Sequence, residues 1–136
     1  MKALWLILLL ACTALTGFGQ ANQKSTDCFK TAMIQSTMDE CANEEAHRAE
    51  AQLDKTYQQL LTLANKDPMA IAKIKKAEAI WISYRQAYID AMYPANDKQA
   101  EYGTMFPMEI DLLGAQLTRA HTKALQEIIK TYTDLE

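Results

Sequence analysis

Three long stretches of this chain repeat apolar residues every three or four positions, the spacing that places side chains on one face of an α-helix. They cover about residues 37–65, 69–92 and 108–133. Pro68 and Pro94 mark the ends of the first two stretches, because proline disfavours helix at the residue before it. Only four glycines and three prolines occur in 136 residues, which argues against a turn-rich β fold. The pattern predicts an all-α chain, a compact antiparallel three-helix bundle.

The same periodicity predicts which residues of each helix face the core. The predicted core stripes are Met38, Ala42, Ala46, Ala49, Leu53, Tyr57, Leu60 and Ala64; Ile74, Ala77, Trp81, Tyr84, Tyr88 and Ala91; and Ile110, Leu113, Leu117, Ala120, Ala124, Ile128 and Tyr132. The predicted solvent face of the first helix carries Glu45, Arg48, Gln52, Lys55 and Gln59. Residues 94–108 show no clear period, and a connection this long in a small bundle is often functional.

The first residues have the pattern of a secretory signal peptide. Lys2 is the only charge among the first 23 residues, and an apolar run from 3 to 12 leads into small residues. This run is half of the roughly 20 residues that a membrane-spanning helix needs. We expect a signal peptide over 1–21, cleaved after Gly19 or Ala21, and a single helical domain over 22–136.

Two alternatives to a cleaved signal peptide remain at the N-terminus. One is that the apolar run is kept as a membrane anchor, which its short length disfavours. The other is lipidation of Cys12, because the stretch from Leu9 to Cys12 loosely matches a bacterial lipobox. In that case Cys12 would become the new N-terminus and carry a lipid anchor.

Export would leave two cysteines, Cys28 and Cys41, in an oxidising compartment, where two thiols normally pair. Thirteen residues of continuous helix would hold them about 19.5 Å apart, whereas a disulfide needs Cα atoms within about 7 Å. The chain must therefore turn back between them, and Ser36 and Thr37 supply capping residues for a helix that begins there. We expect a disulfide that ties an N-terminal arm to the first helix, with two free thiols as the alternative.

The sequence offers no motif for catalysis, cofactor binding or metal binding. Net charge is −3, which argues against a nucleic-acid partner. His47 and His121 lack ligand spacing and are interpreted as surface or edge residues. The methionines at 33, 38, 69, 92, 105 and 108 could line a haem or other hydrophobic ligand, but core filling is the commoner role.

One charged residue lies close to the predicted core stripe of the second helix. Arg85 follows Tyr84 and lies four positions after Trp81. Either it pairs with a carboxylate of the first helix, Glu50 or Asp54, or its stem packs along the bundle while its head reaches water.

Several of these segments together resemble the LprI-type lysozyme-inhibitor domain. The similar segments are Cys28, 37–42, 49–57, 77–87, 103–108 and 117–119. The resemblance covers about residues 28–126 and implies a secreted or lipoprotein-anchored bacterial helical domain that, in some members, inhibits lysozyme. It assigns structural roles to the signature residues Glu50, Asp54, Tyr57, Trp81, Tyr84 and Arg85.

This sequence departs from the family pattern in several places. A second cysteine pair common in the family is missing from both of its positions, at 87–90 and 109–112. Glu50 replaces an Asp, Asp54 an Asn and His121 an Arg, and Tyr102-Gly103-Thr104 replaces Gly-Gly-Ser.

The resemblance leads to a ranked set of functional expectations. The first is an exported, non-enzymatic binding protein, in the periplasm or outside the cell, that blocks a lysozyme or other muramidase. Its target-binding loop would be 94–108, with Lys98, Tyr102, Gly103 and Thr104. The alternative is an envelope protein with a structural or stress-related role and another protein partner. A small-molecule or haem binder ranks third.

Overall fold

The computed structural model describes residues 28–134 of the chain. The predicted signal peptide and the lipidation alternative at Cys12 lie outside the described residues. Within the described range the helices are α1 (Gln35–Leu63), α2 (Pro68–Met92), α3 (Lys98–Tyr102) and α4 (Phe106–Thr133), after a helical turn at 28–31. No strand occurs among these residues, and the prediction of an all-α chain is confirmed.

Local side-chain chemistry sets where the helices begin. The Thr37 hydroxyl donates to the backbone carbonyl of Ile34 over 2.8 Å and fixes the first turn of α1. The Asp67 carboxylate accepts from the backbone N–H groups of Met69 and Ala70 at 2.9 and 3.1 Å, and so caps α2. The connection from 94 to 108, expected to be irregular, contains α3, which sequence periodicity missed because five residues are too few to show a period.

The closest helix pair is α1 with α4, and small side chains line the contact. Ala42, Ala49, Ala115 and Thr118 are at most 5% exposed. Further along, Leu60 packs with Leu125 and Ile129 in a common cluster. Because early residues of α1 meet early residues of α4, these two helices run in the same direction.

Polar contacts fix the direction of α2. Glu78 meets His121 of α4, whereas Arg85, further along α2, meets Glu50, nearer the start of α1. Later residues of α2 therefore contact earlier residues of its neighbours, so α2 runs antiparallel to α1 and α4. Ile74 and Ile89 are its only buried residues in the described structure.

The predicted core stripes of α2 and α4 are rotated from the observed ones. On α2, Tyr84 is 55% exposed and Ala77 and Ala91 are also exposed, whereas Trp81 and Arg85 are half-buried. On α4, the predicted core residues Ala120, Ala124 and Ile128 are exposed, and the buried residues are Gly114, Ala115, Thr118, Thr122, Leu125 and Ile129. Apolarity alone was misleading because paired charges on α2 and small residues on α4 take the inward positions.

Two further predictions about burial were wrong. Glu45, expected on the solvent face, is 8% exposed, because guanidinium groups of Arg48 and Arg119 bind its carboxylate. Hydrogen bonding to Glu45 raises the pKa of the Arg48 guanidinium. The expectation that methionines fill the core also fails for four of them, since Met33, Met69, Met92 and Met105 are 46–84% exposed.

The predicted disulfide is present and joins Cys28 to Cys41, with 5.8 Å between the Cα atoms. Cys41 is 3% exposed in α1, and Ala32 of the arm is also buried. The bridge therefore fastens residues 28–34 to the first turns of α1. No helix among residues 28–134 has the length and apolar character to cross a bilayer.

Candidate binding cleft and loop

Arg85 links all three long helices. Its Nη2 donates to Glu50 Oε1 of α1 over 3.0 Å, which confirms one of the two predicted partners, and its guanidinium lies 5.8 Å from the Trp81 ring centre. A Cβ atom at Gly114 of α4 would come within 3.3 Å of Nη2, so the absence of a side chain there makes room for Arg85. Both sequence interpretations hold at once, since the head pairs with a carboxylate and is still partly hydrated.

A second polar contact joins α2 to α4. The imidazole of His121 stacks on Trp81, with ring centres 4.1 Å apart and planes within 5°. Its Nε2 lies 2.8 Å from Glu78 Oε2, and the two side chains are only 12% and 14% exposed. His121 thus lies at the edge of the core, one of the two places predicted for it, but its carboxylate partner was not predicted because it lies 43 positions earlier in the chain. His47, in contrast, is exposed.

The remaining signature residues lie around these contacts. Tyr57 packs against the hydrophobic core, and burial, followed by the charge of Glu78, raises the pKa of its phenol. Asp54 is exposed and accepts a hydrogen bond from Gln58 at 3.5 Å, so it is not the partner of Arg85. The exposed Tyr84 contacts the Tyr88 ring.

A cleft of about 260 Å³ opens where α1, α2 and α4 meet. Its lining residues are Asn43, Ala46, His47 and Glu50 of α1, Arg85, Gln86 and Ile89 of α2, and Ile110, Asp111 and Gly114 of α4. This volume lies below the roughly 300–1,000 Å³ of pockets that enclose whole ligands. The cleft therefore suits a single protruding side chain. No cluster of three or more potential metal ligands occurs in residues 28–134.

The 94–108 loop is ordered by its own polar groups. Lys98 Nζ donates to the carbonyl of Tyr93 over 2.6 Å and lies 3.3 Å from Asp90 Oδ1, so it satisfies the C-terminal end of α2. Hydrogen bonding by Gln86, together with Lys98, lowers the pKa of the Asp90 carboxyl. The Tyr102 hydroxyl accepts from the backbone N–H of Ala95 at 3.1 Å.

Three aromatic rings form the base of the loop. Tyr93, Tyr102 and Phe106 contact one another, with ring centres 5.1 to 5.8 Å apart. The Tyr93 hydroxyl donates to Glu109 at 3.3 Å, and burial is the main cause of its raised pKa. Aromatic clusters of this size contribute packing beyond area burial, so the loop has a fixed base.

The tip of this loop is the turn between α3 and α4. Gly103 ends α3 with a φ of 74°, a backbone conformation that favours glycine. Thr104 and Met105 follow and are exposed. Of the four residues predicted for the loop site, Lys98 and Tyr102 hold the loop together, Gly103 makes the turn, and Thr104 is exposed.

Charge is divided between the two ends of the bundle. Residues 28–50 and 84–114, which form the end with the cleft and the loop, carry ten carboxylates and four cations, a net charge of −6. Residues 51–83 and 115–134, at the other end, carry eight cations and five carboxylates, a net charge of +3. The acidic end is therefore suited to a cationic partner.

Comparisons with known proteins agree with the resemblance noted in the sequence. The family model described as lysozyme inhibitor LprI matches residues 26–125. An uncharacterized protein of Rhizobium meliloti (strain 1021) is 33% identical over 137 residues, which cover 93% of each chain. No solved structure matches this chain.

Proposed function

This chain belongs to the lysozyme inhibitor LprI family, and we propose that it is an exported binding protein that inhibits a lysozyme or related muramidase. The observation that carries the proposal is that the acidic end, the cleft and the ordered 94–108 loop occupy the same end of the bundle. A lysozyme of net positive charge would be steered to this end, since opposite charges accelerate encounter.

The loop tip is the proposed contact with the enzyme. Glycosidases of this kind cleave between two catalytic carboxylates in an open groove. A protruding segment that fills the groove and donates hydrogen bonds to those carboxylates would exclude the glycan. The hydroxyl of Thr104 and the backbone after Gly103 supply such donors at the exposed tip. Because Lys98 and Tyr102 already order the loop, little conformational entropy would be lost on binding.

The test is the rate of peptidoglycan lysis by a panel of cationic lysozymes, measured with increasing amounts of the purified protein. Slowing that weakens as salt is raised is expected from the charge of the acidic end. No slowing at several-fold molar excess over every lysozyme would refute the proposal and leave the alternative of an envelope protein with another partner.

A matched pair of substitutions locates the contact. Thr104→Glu places a carboxylate where the tip would meet the catalytic carboxylates, and like-charge repulsion should weaken inhibition at least about tenfold, a loss of about 1.4 kcal/mol. Thr131→Glu makes the same change at an exposed threonine at the opposite end of the bundle and should leave inhibition intact. Equal effects of both substitutions would argue against the loop as the contact.

Export is part of the same proposal and has its own measurement. The mass of the purified mature protein distinguishes cleavage after residue 19 or 21 from lipidation at Cys12. A mass that still includes residues 1–21 without lipid would contradict export through a cleaved signal peptide.

A further inference from the structure

An exposed apolar stripe follows one side of α2. Ala77, Ile80, Tyr84, Tyr88 and Ala91 recur at helical spacing, and Ile80 and Tyr84 are 58% and 55% exposed. The inward positions of α2 are taken instead by Ile74, Trp81, Arg85 and Ile89. This α2 stripe is about 21 Å long. Contiguous exposed apolar surface of this kind marks an interaction site more often than scattered single residues do.

The order of residues in the α2 stripe is symmetric about its centre. Tyr84 lies midway between Ala77 and Ala91, and also midway between Ile80 and Tyr88. If a second copy packs antiparallel across a two-fold axis at Tyr84, Ile80 meets Tyr88 and Ala77 meets Ala91. Large side chains then face large ones and small face small, the self-complementarity that a two-fold interface requires.

The charges of the bundle favour the same arrangement. Lys73 continues the stripe before Ala77 and Lys76 flanks it, at the end whose net charge is +3. From Tyr84 onward the chain lies in the acidic end, and beyond Ala91 this end includes Asp97, the residue before α3, and Glu101 within α3. Antiparallel packing sets the basic end of one copy beside the acidic end of the other, whereas parallel packing would set like charges together.

We propose that the α2 stripe is a self-association surface, on which two copies of this chain pack antiparallel about Tyr84. With a width of about 10 Å for one helix, the stripe offers on the order of 200 Å² per copy. Even with flanking residues the total falls below the roughly 1,200 Å² of stable interfaces. The dimer is therefore weak and depends on protein concentration. This proposal is independent of lysozyme inhibition, and the failure of either leaves the other untouched.

Sedimentation velocity of the 136-residue chain tests the proposal over about 10 to 500 µM, where weak interfaces become populated. The weight-average mass should rise from monomer towards dimer. Tyr84→Lys, at the centre of the stripe, should raise the dimer dissociation constant at least about tenfold. Ile128→Lys is the matched control, an apolar residue 40% exposed on α4 outside the stripe, and it should dimerise like the original chain.

Two further outcomes make the test specific. Lys73→Gln combined with Lys76→Gln should weaken an antiparallel dimer, and strengthening would overturn the orientation because it indicates parallel packing. A monomeric mass at every concentration overturns the proposal. The proposal is also overturned if Tyr84→Lys lowers the melting temperature but leaves the weight-average mass equal to that of the original chain. The stripe would then be packed against other residues of the same copy.

Discussion

Replacing His121 with alanine should destabilise the protein more than any comparable histidine substitution in the chain. His121 is the point where α2 is fastened to α4, through its stack on Trp81 and its contact with Glu78. Few apolar residues of α2 are buried, so this contact has a large share in holding the helix. His47→Ala is the matched control, because His47 is exposed on α1.

The magnitude follows from the two contacts that are lost. An aromatic stack contributes about 0.5–1.5 kcal/mol, and a hydrogen bond to a charged group about 1.5–3 kcal/mol. Glu78 keeps 14% exposure and regains some hydration when its partner is removed, which lowers the second figure. We expect a loss of about 2–3 kcal/mol for His121→Ala, and a fall in melting temperature of roughly 10–20 °C for a domain of this size.

Urea unfolding monitored by circular dichroism and by tryptophan fluorescence measures this loss. After removal of the predicted signal peptide, Trp81 is the sole tryptophan, so its emission reports directly on the stacked site. In a double-mutant cycle, Glu78→Gln should have a smaller effect in the His121→Ala background than alone. A destabilisation below about 0.5 kcal/mol, no greater than an ordinary surface substitution, would refute the role assigned to the contact.

Three other perturbations have defined outcomes. Replacing Cys28 and Cys41 with serine removes a cross-link that spans 13 residues and should cost about 3 kcal/mol in the chain-entropy model, measured by urea unfolding against the oxidised protein; an unchanged midpoint would contradict it. Gly103→Ala should cost about 1–3 kcal/mol through strain at positive φ, measured by thermal melting; an unchanged melting temperature would contradict it. Burial, and then the charge of Glu109, raise the pKa of the Tyr93 phenol above 10.0, so the free energy of unfolding should fall as pH rises past that value. Tyr93→Phe should reduce this alkaline loss of stability in unfolding curves taken from pH 8 to 11. An identical pH profile for the variant would exclude the effect.

The helices and the disulfide were predictable because their causes are local. Pro68 and its capping neighbour Asp67 act within one turn of chain, and the long periodic stretches exceed any strand. The pairing of Cys28 with Cys41 followed from the expectation of export and from the count of thiols. The pairing of Arg85 with a carboxylate on the first helix was one of two interpretations that its place beside a core stripe allowed, the other being a packed stem with a hydrated head.

The orientation of the helices was not predictable, because it depends on partners distant in the sequence. Glu45 is buried only because Arg119 of α4 joins Arg48 in binding its carboxylate. Likewise Glu78 occupies an inward position of α2 because His121 lies opposite. A pattern of apolarity assigns polar residues to the solvent face. The predicted core stripe of α2 was therefore shifted by about one position, and it placed the exposed tyrosines in the core.

The contacts also separate the residues that identify the family from those that would act on a target. Trp81 and Arg85, which carry the resemblance, join α2 to its neighbours, Trp81 through His121 and Arg85 through Glu50. These side chains make their contacts within the bundle, so the match to the family bears first of all on the fold. The proposed inhibition would depend on the surface that the bundle presents to a target, namely the acidic end and the turn at Thr104. Substitutions at Trp81 should therefore lower stability and inhibition together, whereas Thr104→Glu should lower inhibition at unchanged stability. Loss of stability in Thr104→Glu would show that the tip also serves the fold.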